Sequence, residues 1–262
     1  AEPTYERIVM IIIDALRFDF ACADDEDAVP EYYHGKLPVI RELLEGFPTA
    51  SHLFRFVADP PTTTMQRLKG LTTGGLPTFV DFRKNFHSSG VEEDNILSQL
   101  LKSNSTGLVK EYGVLMGDDT WTALYPESFE RAYPYPSFNS RDLHTVDNGV
   151  LAHLFDEMER KCEPAVEAAS APRQGSCRLL VAHFLGVDHV GHTHGPRSRQ
   201  MADKLQEMDG VLRQVFAAAR QDDLVLVFGD HGMTEDGNHG GASEDETVAA
   251  LFAHSPRGLV RS

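Results

Sequence analysis

The sequence predicts an α/β domain with a largely parallel central sheet and helices on both faces. Three observations carry that prediction. The length, 262 residues, is enough to bury a substantial core as a single domain over 1–262. Three short apolar, β-branched runs, at 7–13, 179–185 and 224–228, have the length and composition of strands buried on both faces. Amphipathic segments alternate with these runs, which places helices over both sides of the sheet.

The elements follow in order. Arg7 to Ile13 is the first strand and ends at Asp14. Residues 14–60 read as loop-rich, punctuated by Pro30, Pro38, Pro48, Pro60 and Pro61. Thr64 to Thr72 reads as a helix stopping near Gly74 and Gly75, with Thr63 as its N-cap and Gln66 completing a capping box. A short helix is predicted over Glu92 to Lys102 and a strand over Gly107 to Leu115. Thr145 to Lys161 carries a helical stripe of Val146, Val150, Leu151, Leu154 and Met158. Residues 163–176, rich in Ala, Ser and Pro, read as a loop insert. After the second run, Arg199 to Arg220 forms the strongest amphipathic helix, with Met201, Leu205, Met208, Leu212, Val215 and Phe216 on its apolar side. No internal repeat is present.

A formal charge of −16 argues against nucleic acid, which is bound through an excess of Lys and Arg. It does not exclude an anionic substrate, because bound cations reverse a local field. No apolar run approaches the roughly 20 residues that span a bilayer. With neither an initiator Met nor a signal peptide, the chain reads as an excised, soluble piece of a longer protein. Cys22, Cys162 and Cys177 form no CxxC pair, so a Cys-rich zinc finger is excluded. Cys162 and Cys177 bracket the insert and are either bridged or both thiols. Asn104-Ser105-Thr106 is a glycosylation sequon, a weak pointer to a secretory compartment.

Ligands of open α/β sheets gather at the carboxyl ends of the strands. There the chain places Asp14, then Asp188 and His192 four residues apart, then Asp230 with His231, and His239 soon after. A single Asp-His pair is more often a turn or cap than a ligand. Three such groups at three strand ends point to one shared metal site. Carboxylate and imidazole suit zinc first and manganese second. Gly191, Gly229, Gly232, Gly237, Gly240 and Gly241 surround these residues. His183, inside its apolar run, reads as a hydrogen-bonded core residue. His189 and His194 flank the cluster as orienting groups or substrate contacts. His34, His52, His87, His144, His153 and His254 carry no spacing signal.

Thr64 opens its helix with a hydroxyl not committed to capping. A helix N-terminus offers amide N–H groups to a phosphate, and a metal-bound hydroxyl there is a nucleophile for phosphorus. The competing reading is a Pro-Thr loop ending in a good cap; the metal cluster tips the balance to the nucleophile.

Together these segments resemble the alkaline phosphatase superfamily, and within it the catalytic luminal domains of the GPI ethanolamine phosphate transferases, especially the third-mannose branch. The resemblance rests on Ile13-Asp14-Ala15-Leu16-Arg17, Thr62-Thr63-Thr64-Met65-Gln66-Arg67, Ser137-Phe138-Asn139 through Gly149, His183-Phe184-Leu185-Gly186-Val187-Asp188 through Pro196, and Gly229-Asp230-His231-Gly232-Met233 with His239-Gly240-Gly241, spanning residues 8 to 256. It implies a three-layer alkaline-phosphatase-like fold with two zinc ions. One would be held by Asp14, Thr64, Asp230 and His231, the other by Asp188, His192 and His239. It implies Thr64 as nucleophile, phosphatidylethanolamine as donor and a mannose 6-hydroxyl of a GPI glycolipid as acceptor, through a phosphoethanolamine-Thr64 intermediate. Arg67 would either neutralise phosphoryl oxygens or be an exposed helix residue. The resemblance also implies the endoplasmic reticulum lumen, membrane attachment through segments outside this chain, and a small multi-span partner subunit. Two alternatives stay open: a zinc phosphodiesterase or phosphatase using water, and a non-catalytic metal-stabilised binding domain. A sulfatase is disfavoured, since no Cys or Ser stands in a C/S-x-P-x-R context.

Overall fold

The computed structural model describes residues 4–22, 32–76, 90–101, 109–126, 128–160 and 174–259. Within them, β1 (Arg7–Ile13), β2 (Ser51–Val57), β3 (Val109–Asp118), β4 (Arg131–Tyr135), β5 (Gln174–Phe184), β6 (Asp223–Phe228) and β7 (Val248–His254) form one sheet. Its order is β2-β7-β6-β1-β5-β3-β4. The three continuous apolar runs are the three adjacent central strands. β1 lies between β6 and β5 and is parallel to both, with Ile8 opposite Leu224 and Leu179. β3 continues the parallel set between β5 and β4. β7 runs antiparallel to both β6 and β2.

Alternation along the central strands builds a core on each face. Val9, Ile11 and Ile13 pack with Leu180, Ala182 and Phe184 on one side. Met10 and Ile12 pack with Leu179 and Val181 on the other. The first face is covered by α2 (Pro38–Gly46), α6 (Thr145–Glu159), α7 (Gly186–His194) and α8 (Arg199–Ala218), through Ile40, Leu154, Val190 and Leu205. The second is covered by α3 (Thr64–Thr73), α4 (Ile96–Leu100) and α5 (Thr120–Leu124), through Leu68, Leu97 and Trp121. Short helices α1 (Phe18–Ala21) and α9 (Glu244–Thr247) complete the described elements. The three-layer expectation therefore holds.

The loop-rich stretch 14–60 also carries elements that its prolines did not announce. That stretch holds α1, α2 and β2. Pro38 does not break structure here; it starts α2, where a missing N–H costs nothing. Among the described residues β2 is an edge strand that pairs only with β7, far away in sequence, so no local pattern announces it. The strand after residue 107 runs on to Asp118. α4 begins only after Asn95, whose side chain accepts the Ser98 N–H in a capping box. Cys162, the sequon, His87 and residues 163–173 of the insert lie outside the described residues.

Candidate metal centre

Because β6, β1 and β5 are neighbours, their carboxyl ends deliver three groups to one place. Asp14 follows β1 directly, and its N–H donates to Phe184 O at the end of β5. Ala15 then takes a left-handed φ of 58°, an uncommon conformation for a residue with a Cβ. That turn aims the Ala15 N–H at Asp230 Oδ1, 3.3 Å away. Asp230 and His231 follow β6. His231 Nε2 lies 3.4 Å from both Asp14 Oδ1 and Asp230 Oδ2. Its Nδ1 donates to Gly232 O at 2.8 Å, so the lone pair of Nε2 faces the two carboxylates. Thr64 Oγ1 reaches Asp14 Oδ2 at 3.3 Å. All three ligand candidates of this inner cluster are almost fully buried.

The outer cluster is built on α7. Asp188 and His192 are one turn apart, with Asp188 Oδ2 3.4 Å from His192 Nε2. His239 comes from the loop after β6, with Nε2 3.4 Å from Asp188 Oδ1. Its Nδ1 donates to Thr62 O at 2.7 Å, which again leaves Nε2 as a lone pair facing the cluster. The His239 loop lies this close to α7 because Gly237 packs directly on the Gly191 backbone. A Cβ on Gly237 would stand 1.9 Å from Gly191 O, and one on Gly191 would stand 2.6 Å from the Met233 side chain. His231 and His239 stack at 4.0 Å and join the two clusters.

These residues fit divalent cations. Asp14 Oδ1, Asp188 Oδ1, Asp230 Oδ2 and His231 Nε2 are buried atoms with no hydrogen-bond partner. Buried carboxylates facing imidazole lone pairs repel one another unless positive charge lies between them. Burial pushes the Asp14 carboxyl up, but the His183 hydrogen bond and the electrostatic pull of the nearby His231, His183 and His239 rings outweigh it and hold it below the usual range. Asp188 is pushed well up by burial and by Asp14, Asp230 and Asp118. Burial also pushes His192 and His239 down.

A cavity of about 300 Å³ opens over Thr64, Asp14, Asp188, His192 and His239. His189 lines it as well, with Nδ1 donating to Asp142 O at 2.7 Å. His194, at the end of α7, is exposed and does not line it. Thr63 occupies the N-cap position of α3, yet no side chain caps that helix. Its hydroxyl donates to the Gln66 side-chain carbonyl instead, so the expected capping box is absent and the first-turn amides keep no side-chain partner. Arg67 is not an exposed helix residue, and it does not line the cavity. It is buried, and it donates to Asp230 O at 3.0 Å and Asp59 O at 3.1 Å, bracing α3 against the β6 loop.

One residue at the site went unread in the sequence, and a second was read only as core. Asp118 ends β3 and lines the cavity; a strand ending in Asp was its signal, hidden because the predicted strand stopped three residues early. His183 is a core histidine as expected, but its Nε2 lies 3.4 Å from Asp14 Oδ2. Burial opposes charge on His183, while Asp14 and Asp118 raise its pKa. Burial pushes the Asp118 carboxyl up.

Comparison with known proteins places the chain in a family and a fold. Residues 84–242 match the family described as type I phosphodiesterase / nucleotide pyrophosphatase. The chain belongs to that family. This phosphodiesterase-family chain is 48% identical to mouse GPI ethanolamine phosphate transferase 3, catalytic subunit, and 40% identical to GPI ethanolamine phosphate transferase 3 of Saccharomyces cerevisiae. The alignments cover 98% and 97% of this chain but 22% and 24% of those proteins, so it spans about a quarter of their length or less. Among solved structures, the C-terminal periplasmic domain of EcEptC from Escherichia coli superposes with a TM-score of 0.60 at 10% identity, over 97% of this chain and 74% of that one. An alkaline phosphatase superfamily protein from Vibrio parahaemolyticus gives 0.59 at 15% identity, over 98% and 62%. At such identities the likeness concerns the fold. Among the described residues of this family member, no helix is long and apolar enough to cross a membrane.

Proposed function

We propose that the chain is the catalytic portion of a zinc-dependent enzyme that transfers phosphoethanolamine from phosphatidylethanolamine to a mannose 6-hydroxyl of a GPI glycolipid, the third mannose by resemblance. The observation that carries this reading is Thr64: a hydroxyl at the uncapped start of α3, 3.3 Å from Asp14, beside clusters whose buried donor atoms lack partners. Asp14, Thr64, Asp230 and His231 would hold one ion, and Asp188, His192 and His239 the other. When bound, the ions supply Lewis acidity that favours the Thr64 alkoxide and offsets charge on the leaving and entering oxygens.

The remaining chemistry belongs to the chain. The first-turn amides of α3 receive phosphoryl oxygens. Thr64 Oγ bonds to phosphorus as the bond to the glycerol oxygen breaks, and diacylglycerol leaves with a proton. The mannose 6-hydroxyl then attacks phosphorus, loses its proton, and releases Thr64. The names of the relatives, and the words "catalytic subunit" in that of the mouse protein, support GPI-linked substrates and a partner subunit. An endoplasmic reticulum location and membrane attachment outside this chain belong to the same reading.

The test is Thr64→Ala with zinc content measured alongside. Loss of transfer with two zinc ions retained is the expected result, and full-rate transfer would sink the assignment. The family description favours one alternative, hydrolysis with water as acceptor. Product analysis with and without a mannose acceptor separates the two.

A further inference from the structure

Asp118 is the acidic residue of the cavity that neither cluster above employs. It is 1% exposed and lines the wall together with Thr120 and Phe138. Its Oδ1 accepts the Thr120 N–H at 2.7 Å. Among the described residues no Lys or Arg pairs with it, and its nearest basic atom, His183 Nδ1, is 3.7 Å away. That nitrogen is already engaged, because Trp121 Nε1 lies 3.1 Å from it. An indole N–H only donates, so Nδ1 accepts and the imidazole proton sits on Nε2, toward Asp14. His183 therefore offers Asp118 no proton. It also offers a third cation no lone pair, although Asp14, Asp118 and His183 stand within 4.8 Å of one another. A carboxylate this buried without a positive partner is costly, unless a ligand brings the partner.

Reach agrees. An Asp118 oxygen lies within 4.8 Å of an Asp14 oxygen, and Thr64 Oγ1 is 3.3 Å from Asp14 Oδ2. An ethanolamine phosphoryl group on Thr64 extends its nitrogen roughly 6 Å beyond the hydroxyl oxygen, and a charge-assisted hydrogen bond adds about 2.8 Å. Phe138, 84% exposed at the rim of the same cavity, offers an aromatic face to a cation.

We propose that Asp118 is the subsite for the primary ammonium of the transferred phosphoethanolamine, with Phe138 closing over it. The assignment rests on the transferase reading above and names the group that selects the substrate. The test is calorimetric titration of the zinc-loaded chain with phosphoethanolamine and with 2-hydroxyethyl phosphate, its neutral-headed analogue. Wild type should prefer the amine by about 10- to 100-fold, the worth of one hydrogen bond between charged groups. Asp118→Asn should bring the two affinities within about twofold, while Asp118→Glu, which keeps the charge, should retain a preference. Zinc content and thermal midpoint, measured on every variant, show whether each one is folded.

An Asp118→Asn protein that still prefers the amine, or a wild type with no preference, overturns the subsite and leaves phosphoryl transfer standing. A zinc-loaded wild type that binds neither ester overturns both. Loss of a third metal equivalent in Asp118→Asn, with two retained, would assign Asp118 to a cation instead.

Discussion

The inner and outer clusters use the same residue types in opposite settings. Asp14, Asp230 and His231 stand on tight turns after central strands and are almost fully buried. Asp188, His192 and His239 sit on a helix and a loop, with the His192 side chain 26% and the His239 side chain 14% exposed. The inner set holds two carboxylates and one imidazole, the outer set the reverse. The inner cluster is thus suited to permanent holding of charge beside Thr64, and the outer one to a cation that solvent and an incoming hydroxyl can approach. Their braces differ too. Arg67 clamps the inner loop by backbone contacts. The outer helix is fixed by Asp147, whose Oδ1 accepts the Leu185 and Gly186 N–H groups and whose Oδ2 pairs with buried Lys204 at 3.1 Å.

Four measurements would sharpen or break this contrast. The largest effect belongs beside the inner cluster: Thr64→Ala should lower transfer by at least about 10³-fold without releasing zinc, measured by product formation and elemental analysis. Next, Asp147→Ala strips two amides and buried Lys204 of their shared partner. It should cost about 3 kcal/mol and lower the thermal midpoint by several degrees; an unchanged midpoint would mean that α7 is held by packing alone.

His192→Ala should weaken zinc by about 10- to 100-fold at one of two sites, seen as biphasic competition with a chelating dye, whereas uniform weakening would erase the distinction between clusters. Smallest is the effect of mild acid. A raised pKa means protonation at higher pH, so Asp188, pushed up by burial and by Asp14 and Asp230, takes a proton before Asp14, which its histidines hold down. Dialysis from about pH 7 to pH 5 should therefore empty the outer site first; simultaneous loss would contradict the ordering.

The inner cluster was the more legible in the sequence. Its residues follow strands buried on both faces, and such strands carry their apolar signal continuously along the chain. His239 was placed by its glycines and its closeness to Asp230, and the spacing of Asp188 and His192 already suited one helix turn. Asp118 was hidden by a strand boundary set too early, and β2 by its dependence on β7. Arg67 shows a different limit: its position on α3 was read correctly, but only tertiary contacts reveal that its guanidinium is buried against the Asp230 and Asp59 carbonyls. Thr63 shows the same limit, since a capping-box pattern fixes which residues are near without deciding which hydrogen bonds they choose.

The meeting of Gly191 and Gly237 has a consequence for natural variation. Two segments 46 positions apart touch through backbone with no side chain between them. One added methyl group at Gly237 would press on the Gly191 backbone and wedge the loop from the helix, and His239 would retreat from Asp188 with every coordinating side chain still present. A homologue that keeps each acid and imidazole yet carries alanine at position 237 should be expected to bind a single ion, and should be screened as inactive despite an intact motif.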